Sequence, residues 1–225
     1  MDADYIMGLL DSVSSLYQDI ILTSNYCRVN EMITWNKYTP GISNKILYAK
    51  EYERLLNDRQ YSFLFKDKSF VQFYYGFDEE GVNKCKLCYY PYPIGNSESP
   101  EELEEYFSES GTDILETYYY GVVELKNIGV ISTNNSHFRF DYDKSVVAHS
   151  KSHAQYGGIN DLRIPFTHII DPLLFMEFIV INSPLFEDVK DLMGGREFQD
   201  IKGVSISKII PVEVGDGSGI HLDYK

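Results

Sequence analysis

Residues 61–92 read YSFLFKDKSFVQFYYGFDEEGVNKCKLCYYPY, and the fold follows from how that stretch is parsed. Two runs rich in aromatic and β-branched residues, Tyr61–Lys66 and Phe70–Phe77, flank the polar break Asp67-Lys68-Ser69 and read as a β-hairpin. Asp78-Glu79-Glu80-Gly81 is a second turn signal. It leads into Val82–Tyr92, a strand that Pro91 and Pro93 close, because proline cannot donate to a ladder. Strands that return through such short turns pair antiparallel. Thr117–Lys126 and Ser136–Tyr142 continue the series.

Outward from this sheet the spacing changes to that of helices. From Ala3 to Leu22, Ile6, Leu9, Leu10, Val13, Leu16, Tyr17 and Ile20 recur at the i, i+3, i+4, i+7 positions of one buried stripe. A second helix is expected from Ser43, an N-cap, with Tyr48, Tyr52 and Leu55 on one face. An aromatic connector with Trp35, Tyr38 and the Pro40-Gly41 turn separates the two. Asp171-Pro172 opens a helix by capping and by proline at its first position, and Ser183-Pro184 opens a shorter one that stops at Gly194-Gly195. Val204–Val212 reads as a last, edge strand because of Pro211. Ser99-Pro100-Glu101-Glu102 has the same capping signature and starts an acidic helix inserted at 99–110.

The expectation is one α+β domain over 1–225: a curved antiparallel meander with N- and C-terminal helices packed on one face. Residues 1–58 form its helical N-terminal part, 59–170 its sheet, and 171–225 its closing helices and strand. Nineteen tyrosines and thirteen phenylalanines against one tryptophan favour such a sheet-rich core.

A net charge of −14 repels phosphate backbones and argues against non-specific DNA binding. It favours instead a protein partner with a basic surface. Residues 97–116 hold eight acids and no base, so Glu101, Glu102, Glu104 and Glu105 are the candidate docking residues. Three cysteines, Cys27, Cys85 and Cys88, form no disulfide framework and suit a cytoplasmic setting. The start Met-Asp-Ala-Asp lacks the features of a signal peptide, and no apolar run reaches membrane-spanning length.

The candidate site lies where acids are locally missing. Between Lys144 and Asn160 the chain has two lysines, His149 and His153, and no Asp or Glu. On the preceding strand His137, Arg139, Asp141 and Asp143 share one face, while Phe138, Phe140 and Tyr142 share the other, which belongs in the core. The histidines are expected on a loop or single turn leading off that strand. Opposite charges at i and i+2 also allow a purely structural ion ladder.

One chemistry is acid–base cleavage of a phosphodiester in RNA or a nucleotide, without a metal. His149 and His153 would share proton transfer, Arg163 would stabilise charge on the phosphate, and Arg139 and Asp141 would orient them. A second is a divalent metal held by His149, His153 and Asp141 or Asp143. A third assigns the histidines no chemistry. Ser150 stands where a zinc protease needs glutamate, which excludes that family. No phosphate-cradling glycine loop or dinucleotide fingerprint occurs.

The stretches Arg139-Phe140-Asp141-Tyr142, His149 with His153, Arg163-Ile164-Pro165 and the helix Pro172–Ile179 resemble an uncharacterised bacterial domain-of-unknown-function family of similar length. The paired aromatic runs Tyr61–Phe65 and Phe70–Phe73 are similar to its strands. The resemblance implies no activity. It implies a setting among mobile or defence gene modules, and with it a toxin-type effector or a non-catalytic partner protein that neutralises a basic one.

Overall fold

A computed structural model describes residues 1–40, 48–96, 121, 127, 130–132, 134–157, 162–213 and 221–223. The chain divides into two compact units, Met1–Pro91 with Ser136–Lys225, and Tyr92–Asn135. The smaller unit contains the antiparallel pair Ile94–Asn96 and Val130–Ser132. The expected acidic helix, with Glu101, Glu102, Glu104 and Glu105, lies outside the described residues, as does nearly all of Thr117–Lys126.

The larger unit is built on an open nine-stranded sheet, antiparallel in every strand pair. Its strands are β1 (Ile21–Ser24), β2 (Tyr26–Val29), β3 (Met32–Trp35), β4 (Phe63–Phe65), β5 (Phe70–Asp78), β6 (Gly81–Tyr90), β7 (Phe138–Asp143), β8 (Ser152–Tyr156) and β9 (Arg163–Pro165). The expected hairpins are present. The β5–β6 register ends at Asp78 opposite Gly81, and Gly81 adopts φ +120°, which a side chain would resist.

Among the described residues four α-helices flank this sheet, α1 (Ala3–Leu16), α2 (Tyr48–Asn57), α3 (Pro172–Asn182) and α4 (Arg196–Lys208), and a 3-10 helix spans Pro184–Gly194, in the place expected from Ser183-Pro184. Asp2 caps α1 by accepting from Tyr5 N, and Asp171 caps α3 by accepting from Leu174 N. Ile6, Leu10 and Val13 of α1 and Leu173, Phe175 and Met176 of α3 are fully buried with Val71, Phe73, Tyr75 and Leu87 of the sheet. That is the main core. Among the described residues no helix is long and apolar enough to cross a membrane.

Three expectations change. The first helix ends at Leu16 because Ile21, Thr23 and Ser24 pair with β4 instead, and part of the connector after it forms β2 and β3. Val204–Lys208 belongs to α4, where Phe198 and Ser205 point inward. Only Ile210–Pro211 is strand there, paired with His168–Ile169. The terminal helices α1 and α3 share one face, as expected, but α2 does not. Tyr48 of α2 stacks on Tyr90, Tyr52 packs on Phe70, and Phe70 stacks on Tyr90 at 4.7 Å. Phe70 and Tyr90 are on the face opposite Val71 and Tyr89, so α2 covers part of the second face and builds a smaller aromatic core there.

Candidate functional site

The rest of that second face is polar, and strand pairing decides which residues meet on it. On β7, Phe140 is buried and Phe138 and Tyr142 are partly buried against the main core. His137, Arg139, Asp141 and Asp143 therefore point the other way. In the β7–β8 register Arg139 lies opposite Gln155 and Asp141 opposite His153. In the β8–β9 register Gln155 lies opposite Arg163. One row across the sheet thus runs Arg139, Gln155, Arg163, and the next runs Asp141, His153. Four of the five residues singled out from the sequence share one patch.

The fifth joins them from the loop before β8. His149 is exposed, and its ring meets that of His153 edge to face at 5.0 Å. Both rings turn Nδ1 to one carbonyl, that of Ser150, at 2.9 Å from His149 and 3.3 Å from His153. A carbonyl only accepts, so each Nδ1 carries the proton and each Nε2 is left as the basic nitrogen in the neutral ring. His153 is on strand β8 rather than in a loop. It is 5 % exposed, with Nε2 3.7 Å from Asp141 Oδ2.

Burial lowers the pKa of His153. The Asp141 carboxylate works against that shift, and the positive charges of His149 and Arg163 add to it. The stretch free of acids along the chain is therefore not free of them in space, because pairing sets Asp141 against His153. Asp141 is also bound to Arg139, Nε to Oδ2 at 2.9 Å, and Arg139 donates to Gln155 Oε1. The ion ladder allowed by the i, i+2 spacing is real here. Among the described residues Asp141 Oδ1 is buried with no hydrogen-bond partner, and Lys84 pairs with Asp143 at 2.7 Å. Among the described residues no group of three His, Cys, Asp or Glu side chains is arranged to hold a metal ion. His149 and His153 with Asp141 or Asp143 do not form such a group.

Two features were not anticipated. Gln155 alternates with His153 around buried Ala154, a period-two pattern in Ser152–Tyr156 that could have marked a strand. The other is a buried polar cluster beside Arg139. Glu51 of α2 accepts from Tyr90 Oη at 3.3 Å and lies 3.8 Å from His137 Nδ1. Burial raises the pKa of Glu51 and, aided by Arg139, lowers that of His137 to about 4. At neutral pH the His137 ring is thus uncharged, and the contact is not an ion pair. The signal was an acid at position 51, inside the apolar stripe Tyr48, Tyr52, Leu55. Cys85 and Cys88 are buried on opposite faces of β6 and are free thiols.

The fold and this patch define an α+β protein with an open antiparallel sheet and a polar, imidazole-bearing second face on which Arg139, Asp141, His153 and Arg163 meet. The chain belongs to the family described as uncharacterized conserved protein (DUF2290), which it matches over residues 16–187. Neither a curated protein nor a solved structure matches it.

Proposed function

We propose that the second face at β7, β8 and β9 carries out acid–base cleavage of a phosphodiester, in RNA or a nucleotide, in a cytoplasmic protein. The cross-strand register, with the contact between the His149 and His153 rings, supports this reading: together they bring two guanidinium groups and two imidazoles to one face of the sheet. His149 is the proton acceptor, since its ring is exposed and its Nδ1 proton is fixed by Ser150. Its Nε2 takes the proton of the attacking hydroxyl as the new P–O bond forms. Arg163 offsets charge on the phosphoryl oxygens. The old P–O bond breaks, its leaving oxygen takes a proton from water, and the hydroxide so formed takes back the proton held on His149 Nε2. His153, Asp141, Arg139 and Gln155 orient these two residues.

A labelled single-stranded RNA oligonucleotide tests the reading. Cleavage should fall about 100-fold or more in His149→Ala and in Arg163→Ala, with the thermal midpoint of His149→Ala unchanged. An inactive native protein, or cleavage that survives His149→Ala, would overturn it. The net charge of −14 supports the rival reading, a non-catalytic protein that binds a basic partner. That reading requires a salt-sensitive complex weakened when Glu101, Glu102, Glu104 and Glu105 become glutamine.

A further inference from the structure

We propose that a polar cavity at the C-terminal end of α2 is a binding site for the phosphate group of a small molecule. The cavity, about 670 Å³, lies between the turn after β3 and the end of α2. The helix ends with Arg59 N donating to Leu56 O at 3.1 Å and Gln60 N to Leu55 O at 2.8 Å. This pair of bonds needs a left-handed residue at position 59, a place glycine usually fills, and Arg59 adopts φ 52°. The turn after β3 closes with Tyr38 N donating to Trp35 O at 3.2 Å. Its third residue, Lys37, has φ 60°, the glycine position of a type II turn.

Two glycine positions, in two unrelated motifs, are thus held by long cationic side chains that line one cavity. Glycine would relieve both backbones, and these two, unlike left-handed Asn30 and Lys68, line the cavity. Among the described residues neither the Lys37 ammonium nor the Arg59 guanidinium has an ion-pair or hydrogen-bond partner. The acid on the same wall, Asp58, faces Arg54 at 3.9 Å. In a chain of charge −14, two unpaired cations on one concavity make a local positive focus. A guanidinium fork with an ammonium point charge is the pairing that phosphate favours.

The floor is rigid. Gln60, 2 % exposed, accepts at Oε1 from Trp35 Nε1 and Thr39 N, both at 2.9 Å, and donates from Nε2 to Lys37 O at 3.0 Å and Asp58 O at 2.9 Å. One buried amide therefore ties both cation-bearing turns together and joins them to Trp35, the only tryptophan of the chain.

That tryptophan reports the test. Inorganic pyrophosphate added to the native protein should change Trp35 emission saturably. Lys37→Gly and Arg59→Gly should each weaken the apparent Kd at least tenfold, with thermal midpoints no lower than the native value. Lys68→Gly is the control, a left-handed lysine (φ 71°) that does not line the cavity; it should bind as the native chain does. So should His149→Ala, which separates this site from the proposed phosphodiester chemistry. No saturable change, native-like binding by both cavity variants, or equal weakening by either control would overturn the proposal. Weaker binding with a lowered midpoint would also overturn it, because Arg59 would then serve the helix end alone.

Discussion

His153 lies directly opposite Asp141 in the β7–β8 register, with its Nε2 3.7 Å from Asp141 Oδ2 and its Nδ1 turned to the Ser150 carbonyl. Both ring nitrogens therefore face protein groups, and the carboxylate also holds Arg139. Replacing Asp141 by asparagine removes the one charge that favours imidazolium against burial, His149 and Arg163. The His153 titration, followed by proton NMR, should move to lower pH. Stability should fall by roughly 1–3 kcal/mol, because Arg139 loses a partly buried anionic partner. An upward move of the titration would show that Asp141 does not act on this ring.

The two histidines separate by burial. His149 is exposed, so His149→Ala should change stability by less than about 0.5 kcal/mol. His153 is 5 % exposed, and His153→Ala should cost about 1–3 kcal/mol through the cavity and the lost hydrogen bond. Urea unfolding of the two variants checks the difference. Equal costs would mean that the 149 loop is packed as firmly as β8.

The periodicities that were strong in the chain are the ones the structure keeps. The 61–92 hairpins, the α1 stripe and the Asp171-Pro172 cap each depend on residues close in sequence, where turn chemistry and capping decide locally. Val204–Lys208 misled because β-branched residues look strand-like, while its pairing with α3 and the rest of the core is long-range. The face of β7 was legible from parity alone. That Asp141 would sit against His153, and Gln155 between two arginines, was not, since register across three strands is set by the whole sheet. The Glu51–His137 contact was hidden for the same reason: it joins α2 to β7 across 86 positions, 51 to 137.

That contact sets a pH dependence. The His137 pKa falls from 6.5 to about 4 in the folded protein, so the unfolded chain takes up the proton first as pH drops. Its stabilising contribution is complete above pH 6.5 and is lost as pH falls from there to about 4. The full shift corresponds to on the order of 3 kcal/mol. Glu51, raised in the folded state, has the opposite sign, gaining stability as pH falls. In His137→Gln the fall of the thermal midpoint between pH 6.5 and 4 should be shallower than in the native chain. In Glu51→Gln, with the compensating group gone, it should be steeper. The reverse order would mean that the ring is charged in the folded protein.

The same ring explains a glycine. Gly157 follows β8, and a β-carbon there would stand 2.9 Å from His137 Cε1, 3.0 Å from Nε2 and 3.0 Å from Ser136 Oγ. The ring cannot easily retreat, because its other side packs on Tyr90 at 5.0 Å and Glu51 closes the pocket. Gly157 N also donates to His137 O at 3.0 Å, which pins the backbone to β7. Gly157→Ala should therefore destabilise by about 1–3 kcal/mol, although position 157 is exposed to solvent and most exposed substitutions are neutral. The double variant His137→Ala with Gly157→Ala should recover much of the loss relative to His137→Ala alone, since the methyl then enters the space the ring has left. A double-mutant cycle by urea unfolding measures this. Simple additivity of the two changes would place the strain in the backbone rather than against the ring.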